Sequence, residues 1–383
     1  MFAKLFVVLF LVTFFASSSA QLLGGGGEGG LLGLELRKIL ERDDNDDKDR
    51  QHLDRSVMEG KNETFVFGSE LVGRGAPTTV DLCIGATIQI LSTAAVFLGI
   101  YNIYLIKKMT IFHCAFGWFW ASRTIGEVGA NVIHMLYSGP VTMLQPSGIS
   151  PQAGIVAFTI AYPFGCYACV MHQIISFNRM VAVCFPLRYR RIFSKKVCKF
   201  LIVALWVEVL LIMLLYNVIP CNQLGFSPTF YEFVFVKCRE GIQESTSIVG
   251  TVVNRFCWVV CGSTVVFDGI TLYKIIQIKK SGISQQQTFN RDVRFFAQTT
   301  IQNLTMMMAL TMICVVNNSS STALVMNAFA LNLLLVTHVN NALALIVFNP
   351  EVRARFSPKK INDQQSAVTS VSNQIPLRTE DNW

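Results

Sequence analysis

Charge is what this chain has least of. Asp, Glu, Lys and Arg make up 15% of its 383 residues, well under the roughly 25% of ordinary globular proteins. The two-domain soluble fold that this length would suggest is therefore not expected. Residues 138–151 and 317–323 carry no charge at all. The apolar run over 155–178 contains no acid, so an amine held by a carboxylate on that segment is not expected. The last apolar run, 324–348, contains no lysine, which excludes a retinal Schiff base there. No apolar run combines a nucleophile, a base and metal ligands, so the chain does not read as an enzyme, and neither a cofactor nor a metal site is expected. There is no repeat of two equal halves of the kind transporters use.

Apolar residues, by contrast, make up 52% of the chain. They recur in seven runs, at about 82–106, 111–137, 155–178, 200–219, 248–273, 296–316 and 324–348. Each can cross the roughly 30 Å of bilayer hydrocarbon. In lipid every backbone polar group must be paired within its own segment, so the runs should be helices. The expected fold is an all-α membrane protein, a seven-transmembrane helix bundle over 80–348. Ahead of it, Lys4, the apolar stretch 5–16 and Ser18-Ser19-Ala20 have the layout of a signal peptide over 1–20. Cleavage near Ala20 or retention as an anchor would both deliver residues 21–79 outside. That segment, with a glycine-rich start and a dense mixed-charge run, should be a flexible glycosylated extracellular segment.

Loop charge sets direction. The net charge of +8 is gathered in alternate loops, so it is not a nucleic-acid footprint. Lys107 and Lys108 follow the first run, and Arg188, Arg190, Arg191, Lys195, Lys196 and Lys199 follow the third, with no acid among these six. Basic residues also follow the fifth run and open the tail. By the positive-inside bias the amino terminus lies outside and the tail in the cytosol. Asn62 and Asn318 then head N-glycosylation sequons on the outer side. Of eleven cysteines, Cys221 and Cys238 share one outer loop, and a disulfide closing it could contribute roughly 3 kcal/mol. Cys166 and Cys169 have metal or redox spacing but sit mid-helix and read as buried packing.

At the end of the third run stands Asn178-Arg179-Met180, followed by Ala182, Pro186, Leu187 and Tyr189. An arginine at the inner end of a membrane helix is costly and needs a reason. The segment resembles the Asp-Arg-Tyr box of the rhodopsin-like receptors, with Trp206 mid-way along the fourth run as that resemblance implies. Phe116-Gly117, Asn178-Arg179, residues 268–272, 298–302, His338-Val339-Asn340-Asn341 and Phe348-Asn349-Pro350-Glu351 bring it nearer to nematode chemosensory receptors, serpentine receptor class X. The resemblance covers about 84–356. It implies a receptor in the plasma membrane, in sensory cilia within the family, that binds an extracellular small molecule or peptide and activates a heterotrimeric G protein. Asn178, Arg179, Met180, Pro186, Leu187 and Tyr189 would form the coupling end. A receptor-like partner or trafficking subunit that no longer signals is the alternative, and a transporter a more distant one.

Asn178 replaces the acid expected beside Arg179. An amide can hydrogen-bond the guanidinium only without charge assistance, so the resting lock should be weak. The sixth run has Met306-Met307-Met308 where a proline hinge would be expected. Asn349-Pro350 reads as the cap of a short membrane-surface helix within 349–383, with Val352 and Phe356 toward lipid. The rest of that segment would be a disordered cytoplasmic tail. Arg123 and Glu127 stand four residues apart and should pair inside the bundle. They would act either as a polar switch with Asn102 and Asn341 or as a structural ion pair. His134, Thr159, Tyr162, Arg255, Asn327 and Asn332 are the ligand-pocket candidates.

Overall fold

The structure, a computed structural model, describes residues 65–219, 221–238, 248–280, 286–318, 324–349 and 352–353. Residues 65–67 and Cys238 belong to one compact unit; residues 68–237 and those from 248 onward belong to another. The second unit contains seven long helices among the described residues: α1 Thr79–Lys108, α2 Ala115–Ile133, α3 Pro151–Cys184, α4 Lys195–Val218, α5 Ile248–Lys280, α6 Gln286–Asn318 and α7 Leu324–Phe348. Six are long and apolar enough to cross a membrane, and α2 falls outside that set. It carries Arg123 and Glu127, yet continues without a break through a π-helical turn, His134–Ser138, into Gly139–Leu144.

Local chemistry explains the ends. Thr78 and Asp81 form a reciprocal capping box that starts α1, and Lys107 and Lys108 complement the negative end of its dipole. α3 opens on Pro151, whose missing N–H is unneeded in a first turn. The apolar stretch of α3 is 61% buried, against 33–44% for the other spanning helices, so α3 is the central post of the bundle. The outer helices turn Ile90, Phe97, Leu210, Leu214, Val266 and Val325 outward, a surface suited to lipid. Between helices that both face lipid, close contact relies on small residues. A Cβ on Gly129 of α2 would collide with the Phe164 ring of α3, and one on Gly117 would collide with the Phe112 carbonyl oxygen. Only glycine fits at either place.

One end of the bundle carries an element that the apolar runs do not foretell: an antiparallel hairpin, β1 Leu224–Ser227 with β2 Glu232–Phe235, in register Leu224↔Phe235 to Ser227↔Glu232. Phe226 of the hairpin is fully buried with Ile88, Leu331 and Leu335. Cys221 and Cys238 are both disulfide-bonded, in keeping with the expected closure of this loop. The flexible segment expected up to residue 79 is corrected at its last part. Leu71 is 0% exposed, and Ser227 Oγ donates to the Glu70 carbonyl. The ordering comes from apolar burial that the low-periodicity stretch conceals. Residues 1–64, where the signal peptide and the Asn62 sequon are expected, lie outside the described residues. So do residues 319–323 after Asn318 and the tail from 354.

At the opposite end, Asn349 accepts from Val352 N at 3.3 Å, as a helix cap does. Val352 is not turned to lipid. It is 0% exposed, packed with Leu105, Ile106, Met109, Phe112 and Trp120, because the ends of α1 and α2 reach over it.

Candidate functional site

A polar seam runs through the apolar bundle. Arg123 Nε lies 3.2 Å from Glu127 Oε1, both side chains buried, and the guanidinium stacks 5.0 Å from the Trp120 ring. Asn341 of α7 donates to Glu127 Oε1 at 2.7 Å. Arg123 donates to Gln302 of α6 at 3.4 Å, and Gln302 donates to the Asn341 carbonyl at 3.0 Å. His172 of α3 lies 3.8 Å from Glu127 and 3.0 Å from Asn303 Oδ1. Asn303 in turn donates to Ser176 and to Asp268 of α5, at 2.7 and 2.8 Å. Toward the hairpin end, Asn131 meets His338 Nδ1 at 2.7 Å. Five helices thus share one network, satisfying polar groups that lipid could not.

Above His338 lies a cavity of about 170 Å³, lined by α2, α3, α4, α5, α6, α7 and the hairpin. Its wall is largely aromatic, apolar and thiol, with His134, Tyr162, Asn254, Asn327 and Glu232 as polar points. His134 is presented by the π-helical turn, a distortion that recurs at functional sites. Tyr162 donates to Asn254 Oδ1 and accepts from Tyr216, each at 3.3 Å. Glu232 is held in poor solvent, and burial pushes its carboxyl up to about 7 from an ordinary 4.5. An acid raised in this way is disfavoured in its ionised form by folding. The fold should therefore lose stability as pH rises from about 4.5 through 7, by at most about 3 kcal/mol. Glu232→Gln should match wild type at pH 4 and melt higher at pH 8, read from unfolding midpoints of purified protein; parallel pH curves would refute this.

At the far end Arg179 lays its guanidinium 4.6 Å from the centre of the Phe116 ring. Asn178 exchanges hydrogen bonds at 3.2 and 3.3 Å with the Tyr189 hydroxyl, which burial keeps protonated by pushing it up to about 12. Tyr189 belongs to a short helix, Pro186–Ile192, that leaves Leu187 98% exposed. Among the described residues no group of three or more His, Cys, Asp or Glu is arranged to hold a metal ion.

Residues 90–349 match the sequence profile of a family described as "Serpentine type 7TM GPCR chemoreceptor Srx". The chain belongs to this family. The Srx chain is also 24% identical over 149 residues to olfactory receptor 1500 of Rattus norvegicus, covering 39% of itself and 48% of that receptor. It is 25% identical over 166 residues to olfactory receptor 5P56 of Mus musculus, with the same coverage. It thus spans about half the length of these curated relatives. Squid rhodopsin superposes with a TM-score of 0.59 at 13% identity, over 79% of this chain and 89% of that one, a likeness of fold.

In this Srx chain the expected site residues divide. Glu127 and Asn341 meet directly, but Asn102 does not join them. It donates to the Ala342 carbonyl at 2.9 Å, one residue along α7. His134, Tyr162 and Asn327 line the cavity, while Thr159, Arg255 and Asn332 do not. Thr159 and Asn332 spend their hydrogen bonds on their own helices. Arg255 is exposed because one residue turns about 100° around a helix, and that step gives the cavity to Asn254. Asn178 serves Tyr189 in the contacts above rather than the neighbouring guanidinium. The charge of Arg179 acts on the Asp268 carboxylate, which accepts from Asn303. His172, Asn303 and Glu232 were not anticipated. Polar side chains inside apolar runs were the available signal for the first two. The four thiols Cys166, Cys169, Cys257 and Cys261 are buried, with Cys169 and Cys261 sulfurs 3.2 Å apart.

Two substitutions test how the resting state is held. Asn178→Asp should lower ligand-free signalling by adding charge beside Arg179, and Asp268→Asn should raise it. Both would be read as basal second messenger at matched surface level, and no change in either direction would remove the idea.

Proposed function

We propose that this chain is a chemosensory receptor that binds a small molecule in the cavity under the hairpin and activates a heterotrimeric G protein at the basic end. The hairpin end faces outward and the Arg188–Lys199 cluster faces the cytosol, in the plasma membrane and, by family likeness, in sensory cilia. The observation that carries this reading is the continuous polar seam. His338 lines the cavity and meets Asn131, which donates to the Glu127 main-chain carbonyl; side chains then link Glu127 through Asn341, His172 and Asn303 to Asp268, on which the charge of Arg179 acts.

A ligand can shift such a bundle only by binding two of its states differently. The seam supplies groups whose partners must change if α5 or α6 moves relative to α3. Arg179, with Asn178, Met180, Pro186, Leu187 and Tyr189, then forms the coupling surface. An exposed leucine on a short basic helix is an apolar anchor set in a positive field, suited to a cytosolic partner.

The test is a ligand-panel second-messenger assay of wild type and Arg179→Ala. The response should fall at least about tenfold, a loss of about 1.4 kcal/mol or more in coupling, with unchanged surface delivery. A response that persists in the variant would end the proposal. So would labelling of the Arg188–Lys199 cluster from outside intact cells.

A further inference from the structure

We infer that the cavity is built for a small organic cation, an apolar primary amine whose ammonium is met by Glu232 from the hairpin. This deepens the receptor reading and rests on it for the cavity being the ligand site.

Among the described residues Glu232 is the one acid on the cavity wall, and no lysine or arginine lines it. Its carboxylate makes no hydrogen bond or ion pair among the described residues, although the hairpin holds its backbone in register opposite Ser227. Of the other acids of the bundle, Glu208 of α4 lies off the cavity wall, and three are taken. Glu127 is paired with Arg123 and bonded by Asn341, Asp268 accepts from Asn303, and Asp81 accepts from Thr78, Arg74, Gln145 and Tyr231. A carboxylate held at a desolvated cavity wall with no internal cation is costly unless a bound one supplies the charge.

The rest of the wall suits the rest of such a ligand. Phe158, Tyr162, Tyr216 and Phe233 form a connected aromatic cluster, with centroids 4.6–5.5 Å apart. Their faces can share an ammonium's charge, and their area packs an apolar body. Cavities near about 150 Å³ accept a benzene-sized guest, so about 170 Å³ sets the scale at a single ring or a short branched chain. The absence of an acid on α3, which argued against an amine, leaves this position open because the hairpin reaches the cavity from a different part of the chain.

The test uses purified full-length chain in nanodiscs, with benzylamine and its neutral analogue benzyl alcohol as probes, followed by competition binding and by nucleotide exchange on added G protein. Benzylamine should bind at least about tenfold tighter than benzyl alcohol. Glu232→Gln should erase that difference while leaving benzyl alcohol unchanged. Glu232→Lys should reject benzylamine and admit benzoate, which shows that the variant is folded. Equal binding of amine and alcohol, no amine binding, or full amine affinity in Glu232→Gln would each overturn the inference. The two readings fail separately. Charge-selective binding without exchange at any ligand would leave the cation site standing and remove the receptor. Exchange driven by neutral ligands and untouched by Glu232→Gln would do the reverse.

Discussion

Replacing Arg123 with leucine should cost roughly 3–5 kcal/mol of fold stability, the range for breaking a buried pair and stranding one charge. Glu127 would keep its bond from Asn341, 2.7 Å away, but lose the cation 3.2 Å from its oxygen in a site where water cannot replace it. Gln302 would lose the guanidinium donor at the same time. The double variant Arg123→Leu, Glu127→Leu should recover most of the loss, because two apolar side chains of similar reach need no partner. Thermal midpoints of purified protein, with the fraction delivered to the cell surface, measure both. Equal losses in the single and double variants would mean that the pair is not what holds α2 in the bundle. The same substitution separates the two roles that helical spacing leaves open. A structural pair predicts that the double variant still responds to ligand, whereas a switch predicts normal folding with altered basal signalling.

Asp81→Ala should be nearly as damaging, at the other end of the molecule. Asp81 is 0% exposed and draws in three separate stretches. It accepts from Thr78 N and Oγ1 at 2.7 Å each, from Arg74 at 3.3 Å, from Gln145 at 3.0 Å and from the Tyr231 hydroxyl at 2.6 Å. Thr78 still caps the residue-81 N–H, but the Asp81 half of the capping box is lost, and buried donors left without an acceptor cost about 1–3 kcal/mol each. These terms overlap, so about 3 kcal/mol in total is the expectation. Tyr231 directly precedes Glu232, and its backbone is held in the left-handed region at φ 61°. Releasing its hydroxyl should therefore loosen the hairpin over the cavity and weaken ligand response by about tenfold. Asp81→Asn, which keeps one acceptor oxygen for Tyr231, should fall between. A hairpin that keeps its amide-exchange protection in Asp81→Ala would defeat this account.

The fold was legible because a bilayer imposes a strong and local rule. Each run of about 20 apolar residues must become a helix, and the basic clusters between runs set the expected direction of threading. The ends of α7 agree with the expected run, and α3 extends past its predicted limits by less than two turns. The site was legible only in part. Arg123 and Glu127 could be paired from their i, i+4 spacing, since both partners lie on one helix. Asn341 donates to Glu127 across the bundle, whereas Asn102 reaches the next residue of α7, the Ala342 carbonyl. At the cavity, Arg255 and Asn254 exchanged roles for the same reason. Spacing along a helix does not report the helix's rotation about its own axis, and only packing against α3 fixes it.

The amino-acid sequence by itself determined the number of crossings, the family and the basic segment around Arg179. These come from composition and from motifs read within single segments, where physics acts over a few residues. Tertiary structure alone decided that His172, Gln302 and Asn303 join one polar seam, that the charge of Arg179 acts on Asp268, and that Glu232 reaches the cavity. Each of those meetings joins residues from different helices, or a helix and a loop. Their distance is set by how seven helices turn and pack, which no local pattern encodes.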